Sequence, residues 1–123
     1  MSKQILVVDN EVYIQTVIKI ALETVAGWRI RTASSGQEAI DLAIQDHPDG
    51  IVLDAMMPDM DGPSTFKKLQ ENPITQTIPV LLLTARLQDS DREFYQQAGI
   101  QHMLAKPFDP LQLADQIRQA FNW

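Results

Sequence analysis

No cysteine occurs in this chain of 123 residues, which excludes a disulfide framework, a thiolate nucleophile and any Cys-ligated metal site. That absence fits a reducing compartment, and the cytoplasm is the expected location. Long apolar runs are missing as well. Met1-Ser2-Lys3-Gln4 leads into the short run Ile5-Leu6-Val7-Val8, far less than a signal-peptide core or a membrane span needs, so no membrane association is expected. Positive charge is scarce: Lys and Arg number 10 against 16 Asp and Glu, a formal charge of -6. Phosphate contacts require clustered cations, so no nucleic acid is expected to bind through this chain. Glycine loops are wanting too. Neither a Walker loop nor a Gly-x-Gly-x-x-Gly follows the first run, which disfavours a nucleotide or flavin binder and a small phosphotransfer enzyme acting on a free metabolite.

The chain does have two regularly alternating patterns. Ile5 to Val8 and Val80 to Leu83 are continuous apolar runs rich in branched residues, which suits central parallel strands covered on both faces. Trp28-Arg29-Ile30-Arg31-Thr32-Ala33 alternates instead, as an edge strand with one wetter face does. Helical faces lie between: Ile14, Val17, Ile18, Ala21 and Val25; Ile40, Ala43 and Ile44; Phe66 and Leu69; Leu113, Ala114, Ile117 and Phe121. These spacings bury one stripe of each helix. Helix starts are marked by Ser35 with Glu38 as a capping box, by Pro63 after Gly62, and by Asp109 with Pro110 in the first helical position. A fourth helix near Asp89 to Ala98 offers few apolar residues beyond Phe94, Tyr95 and Ala98. It is predicted to pack least firmly and to end at Gly99 in a left-handed cap. Five strand-helix units with short connections predict one α/β domain over residues 1–123, a doubly wound parallel sheet with helices on both faces.

Four apolar runs each stop at a residue able to do ionic or hydroxyl chemistry: Val8 at Asp9, Leu53 at Asp54, Leu83 at Thr84 and Ala105 at Lys106. In an open parallel sheet the ligand crevice lies beyond the carboxyl ends of the strands. Meeting there, Asp9 and Asp54 are hard oxygen ligands for Mg²⁺, Asp54 is a nucleophile toward phosphorus, and Lys106 is a cation for the transferring group. The Thr84 hydroxyl is placed to donate to a phosphoryl oxygen. Each residue alone has an ordinary explanation, as turn former, helix cap, strand-end threonine or surface lysine. Their conjunction carries the chemical reading. Asp59 and Asp61 lack the spacing of a calcium loop and read as turn and cap residues. His47 and His102 have no partners at metal spacing and read as surface residues. Phe94, Tyr95 and Phe108 are equally compatible with core and with the border of a partner groove.

The segments Val8-Asp9-Asn10-Glu11, Leu53-Asp54-Ala55-Met56-Met57-Pro58-Asp59-Met60-Asp61-Gly62, Leu83-Thr84-Ala85 and Ala105-Lys106-Pro107-Phe108 together resemble the receiver domain of two-component response regulators, over essentially the whole chain. The resemblance implies a flavodoxin-like sheet of order 2-1-3-4-5. It also implies Asp54 as phosphoacceptor, Mg²⁺ held by Asp9, Asp54 and the Met56 backbone carbonyl, Thr84 as switch hydroxyl and Lys106 as phosphate contact. The phosphoryl group would come from a sensor histidine kinase or a histidine phosphotransfer protein. The chain would promote its own phosphorylation and dephosphorylation, not act as an enzyme on a separate substrate. The output would be altered binding of a downstream protein at the face of the fourth helix, fifth strand and fifth helix.

Three departures from the family pattern matter. Asn10 replaces a second acidic residue, keeping an oxygen as a possible metal ligand while removing a charge, so weaker Mg²⁺ binding is expected. Met103 stands where an aromatic switch residue is usual, so a swinging ring cannot be the readout. Met56 and Arg86 occupy positions that in the family tune the lifetime of the phosphoryl group. With Trp123 directly after the fifth helix, a stand-alone receiver is the leading expectation. The competing one is a phosphorylation-independent interaction module of the same fold, its metal site weakened by Asn10.

Overall fold

A computed structural model describes residues 2–123. Its elements alternate as predicted: β1 (Gln4–Val8), α1 (Val12–Ala26), β2 (Arg29–Ala33), α2 (Gly36–Asp46), β3 (Gly50–Asp54), α3 (Gly62–Glu71), β4 (Val80–Thr84), α4 (Asp89–Gln97), β5 (His102–Ala105) and α5 (Leu113–Phe121). The five strands form one sheet in the order β2-β1-β3-β4-β5, every pair parallel. This is the flavodoxin-like arrangement. β3 and β4 are buried at every position, whereas β2, at the edge, exposes Arg29 and Arg31 and buries Ile30 and Ala33.

Because side chains alternate across a strand, the sheet divides the core in two. Leu6, Val8, Ile51, Leu53 and Leu82 face α2 and α3, meeting Ala39, Ile40, Phe66 and Leu69. Ile5, Val7, Val52, Leu81 and Leu83 face α1 and α5, meeting Ile18, Leu22, Leu113 and Ile117. Tyr95 packs against the first cluster and Phe108 against the second, while Phe94 is 61% exposed. The three aromatics thus divide between core and surface.

Several helix ends differ from expectation in detail. On α1 the buried residues are Gln15, Ile18, Ala21 and Leu22, and Val25, in the final turn, is 45% exposed. The covered line therefore runs 15, 18, 22 and leaves its predicted last member out. At α2, Ser35 Oγ accepts from the Glu38 amide at 3.1 Å, but the Glu38 carboxylate reaches past Ser35 to the Ser34 amide at 2.6 Å. Asp109 does not cap α5. Its carboxylate accepts from the Leu111 amide at 2.9 Å, and carbonyl bonds Gln112 to Asp109 and Leu113 to Pro110 close a turn first. The helix begins only at Leu113 because those residues satisfy one another locally. α4 buries no residue, and Gly99 follows it with φ 93°, both as predicted.

One close approach joins the fold to the chemistry. A Cβ on Gly62 would lie 2.7 Å from the Asp54 carbonyl oxygen, 2.8 Å from Ala55 Cα and 2.8 Å from Leu82 Cδ1. Two of these atoms are backbone and cannot rotate away. Gly62→Ala should therefore destabilise the protein by about 1–3 kcal/mol, the usual range for overpacking. A lowered urea midpoint with an unchanged slope would register it, and an unchanged midpoint would contradict the close approach.

Candidate functional site

Strand register assembles the site. Val8 pairs with Leu53, Asp54 with Leu83, and Thr84 with Ala105, so in-register parallel strands bring the residues at and after their ends to one rim. The winding direction reverses between β1 and β3, the switch point where such sheets bind ligands. Asp9, Asp54 and Lys106 converge there. Lys106 Nζ donates to Asp9 Oδ2 at 3.2 Å and to Asp54 Oδ1 at 3.0 Å. Asp9 is fully buried, and Asp54 nearly so at 5%.

Backbone groups of the following loops complete the hydrogen bonding. The Glu11 amide donates to Asp9 Oδ1 at 2.9 Å, and the Met56 amide lies 3.5 Å from Asp54 Oδ1. Burial pushes the Asp54 carboxyl above its ordinary value; the hydrogen bond from Lys106 opposes this, and repulsion from Asp9 adds to it. For Lys106, burial works against the ammonium, but the hydrogen bond and charge of Asp54 and then the charge of Asp9 outweigh it, so its pKa is raised. One ammonium between two buried carboxylates leaves the pocket short of positive charge.

That deficit and the donor set fit a hard divalent cation. Mg²⁺ binds through one or two carboxylates and otherwise keeps water or carbonyl oxygen, and Asp9 and Asp54 offer those carboxylates, with Met56 on the loop directly after Asp54. Among the described residues no three His, Cys, Asp or Glu side chains converge. Asn10, next to Asp9, is exposed.

Thr84 reaches the same rim but its hydroxyl faces elsewhere. Oγ1 donates to the Arg86 carbonyl at 2.9 Å and lies 3.5 Å from the Tyr95 hydroxyl on α4. Arg86 in turn pairs with Asp91 at 3.2 Å, so the β4-α4 loop and α4 are tied together. Asp59 and Asp61 take the expected structural roles. Asp59 accepts from the amides of Gly36 and Gln37 at the start of α2, at 3.1 and 3.3 Å, which lowers its pKa. Asp61 caps α3 through the Ser64 amide at 2.7 Å. His47 ends α2 in the left-handed region, and His102 packs edge-on against Phe121. Two residues escaped sequence reasoning: Tyr95 as a neighbour of Thr84, which leaves no sequence signal, and Gln15. A glutamine in the apolar line 15, 18, 22 was a readable anomaly.

The chain belongs to the response regulator receiver domain family, whose model matches residues 5–118. It is 36% identical over 118 residues to the alkaline phosphatase synthesis transcriptional regulatory protein PhoP of Bacillus subtilis, covering 96% of this chain and 48% of PhoP. Identity to the transcriptional regulatory protein SrrA of Staphylococcus aureus is also 36%, covering 96% of this chain and 47% of SrrA. The chain spans about half the length of these curated relatives. Among solved structures, the Vibrio cholerae chemotaxis protein CheY4 superposes with a TM-score of 0.90 at 27% identity, over 98% of this chain and 99% of that one. The receiver domain of the Pseudomonas aeruginosa sensor histidine kinase PA1611 superposes with a TM-score of 0.87 at 29% identity over the whole of both chains, and it carries a magnesium ion in its active site cleft.

The raised Asp54 pKa has a stability consequence. An acid that holds its proton more tightly folded than unfolded opposes folding once ionised, so its penalty grows as pH rises from the ordinary 3.8 through the raised folded value and is constant above it. In EDTA, Asp54→Asn should raise the thermal midpoint at neutral pH, with the gain shrinking as pH falls toward 3.8. A midpoint lowered at neutral pH would mean that the Lys106 pairing outweighs burial.

Proposed function

We propose that this receiver domain is a phosphorylation-driven switch that accepts a phosphoryl group on Asp54 from a phosphohistidine of a sensor histidine kinase or histidine phosphotransfer protein, in the cytoplasm. The observation that carries the proposal is Lys106 Nζ held between the buried carboxylates of Asp9 and Asp54, at 3.2 and 3.0 Å. Asp54 Oδ1 is occupied by Lys106 and the Met56 amide, which leaves Oδ2 to attack phosphorus. A P–O bond forms as the P–N bond of the donor breaks, and the leaving imidazole nitrogen keeps the electron pair and takes a proton from water. Lys106 remains beside the new acyl phosphate, where its charge offsets that of the transferred oxygens. Mg²⁺ held by Asp9, Asp54 and the Met56 carbonyl, with Asn10 as a further oxygen, would supply the remaining positive charge.

The output follows from Thr84. To donate to a phosphoryl oxygen its hydroxyl must leave the Arg86 carbonyl and the neighbourhood of Tyr95. α4 buries no residue and touches the core through the partly buried Tyr95, so the loop and helix tied to Thr84 can shift at modest cost in packing. The surface of α4, β5 and α5 then binds a downstream protein differently. With Met103 in place of an aromatic ring, the loop rather than β5 transmits the change. The modification is the chain's own, with no separate substrate turned over.

Incubation with Mg²⁺ and phosphoramidate should add one phosphoryl group, labile to base. Asp54→Ala and EDTA should each abolish the addition, and Lys106→Ala should slow it by about 100-fold, the order seen when one transition-state donor is removed. Intact mass measured over time reads all three. An unmodified wild type under every small donor and a phosphohistidine donor would favour the constitutive interaction module instead.

A further inference from the structure

We infer that Gln15 is a positioning residue for Asp9; the inference rests on the metal-binding reading above. The covered side of α1 is otherwise apolar, formed by Ile18, Ala21 and Leu22, yet Gln15 lies in it at only 6% exposure. A desolvated amide is costly there unless its hydrogen bonds are made. They are made at the end of β1. Gln15 Nε2 faces the Asp9 carbonyl at 2.5 Å, Ser34 Oγ at 2.9 Å and the Ala33 carbonyl at 3.2 Å. Two N–H groups serve these three acceptors.

The position of those acceptors gives the amide its purpose. The β1–β2 ladder ends at the pair Val8 and Ala33, and the Asp9 amide still donates to the Ala33 carbonyl at 3.0 Å. Beyond that point the Asp9 carbonyl is held by Gln15 in place of a neighbouring strand. Asp9 is thereby gripped at its N–H by Ala33, at its carbonyl by Gln15 and at Oδ1 by the Glu11 amide. This grip works against a standing repulsion. Asp9 and Asp54 share one ammonium, and the simplest relief is for the turn to swing toward solvent, where Asn10 and Glu11 are already exposed. Gln15 opposes that swing from inside α1. Ser34 extends the brace to α2, since its amide donates to Glu38 at 2.6 Å. With Asn10 contributing no charge, the site depends on Asp9 oxygens that are already in place when a cation arrives.

Gln15→Met, which keeps the arm and removes the donors, is compared with Thr75→Val in the full chain. Thr75 is fully buried and donates to the Leu69 carbonyl at 2.7 Å, in the α3-β4 connection and outside the Asp9 cluster. Titration calorimetry with Mg²⁺ should show Gln15→Met binding about 10–100-fold more weakly, the usual effect of removing a support behind a metal ligand. Thr75→Val should lower the thermal midpoint while keeping wild-type Mg²⁺ affinity. In metal-free protein, exchange of the Glu11 amide should be faster in Gln15→Met alone. Gln15→Asn, with its shorter arm, is expected to shift both readouts the same way and replaces Gln15→Met if that variant does not fold. Wild-type Mg²⁺ affinity together with wild-type Glu11 exchange would overturn the inference. A wild type that binds no Mg²⁺ overturns the metal reading by itself, and the Glu11 exchange rate then decides whether the grip on Asp9 exists.

Discussion

Asp9 and Asp54 are both out of water, and a single ammonium, that of Lys106, stands between them. Removing an ion from water costs several kcal/mol even after relaxation, while an ion pair about 4 Å apart at an effective dielectric of 20 returns about 4 kcal/mol. One cation cannot offset two buried carboxylates on those terms. The imbalance surfaces in Asp54, whose proton is held more tightly than usual because burial and Asp9 together outweigh Lys106. A pocket left wanting positive charge has the electrostatics that suit a hard divalent cation.

The remainder of the structure keeps that pocket from relaxing. Two apolar layers, one on each face of the sheet, pack the strands from both sides, and the strand register puts Asp54 and Thr84 at the same rim. Gly62 lets α3 start against the backbone of Asp54 and Ala55, and its amide donates to the Ala55 carbonyl at 2.8 Å. Asp59 links the same loop to the start of α2. On the opposite side Gln15 closes the end of β1. The β4-α4 segment is held more lightly: Thr84 bonds to Arg86 and neighbours Tyr95, Arg86 pairs with Asp91, and α4 reaches the core through the partly buried Tyr95 without burying any residue. Firm packing at the carboxylates and lighter packing beside Thr84 suit the switching proposed for this domain.

Particular residues show where local rules reached and where they stopped. Ser35 and Gly99 behave as their neighbours in sequence dictate, because a cap and a left-handed turn are settled within four or five residues. Asp109 obeys a local rule as well, although a competing one, closing a turn before α5 in place of capping it. Glu38 reaching Ser34 is a similar local exchange of partners. Val25 fails for a different reason: periodicity places it on the stripe but says nothing about what lies beneath the helix's last turn. The orientation of the Thr84 hydroxyl toward Tyr95 and Arg86 had no local signature whatever.

Read without coordinates, the chain already determined its alternation of strands and helices, the two-sided burial of its central strands and the identity of four chemically able residues at strand ends, since each depends on spacing along the backbone. Family likeness supplied the strand order. Only the folded chain decided which of those residues meet: Asp9, Asp54 and Lys106 do, while Thr84 turns to its own loop. That choice lies in side-chain rotamers and in contacts between segments up to 97 residues apart, which packing selects and periodicity does not encode.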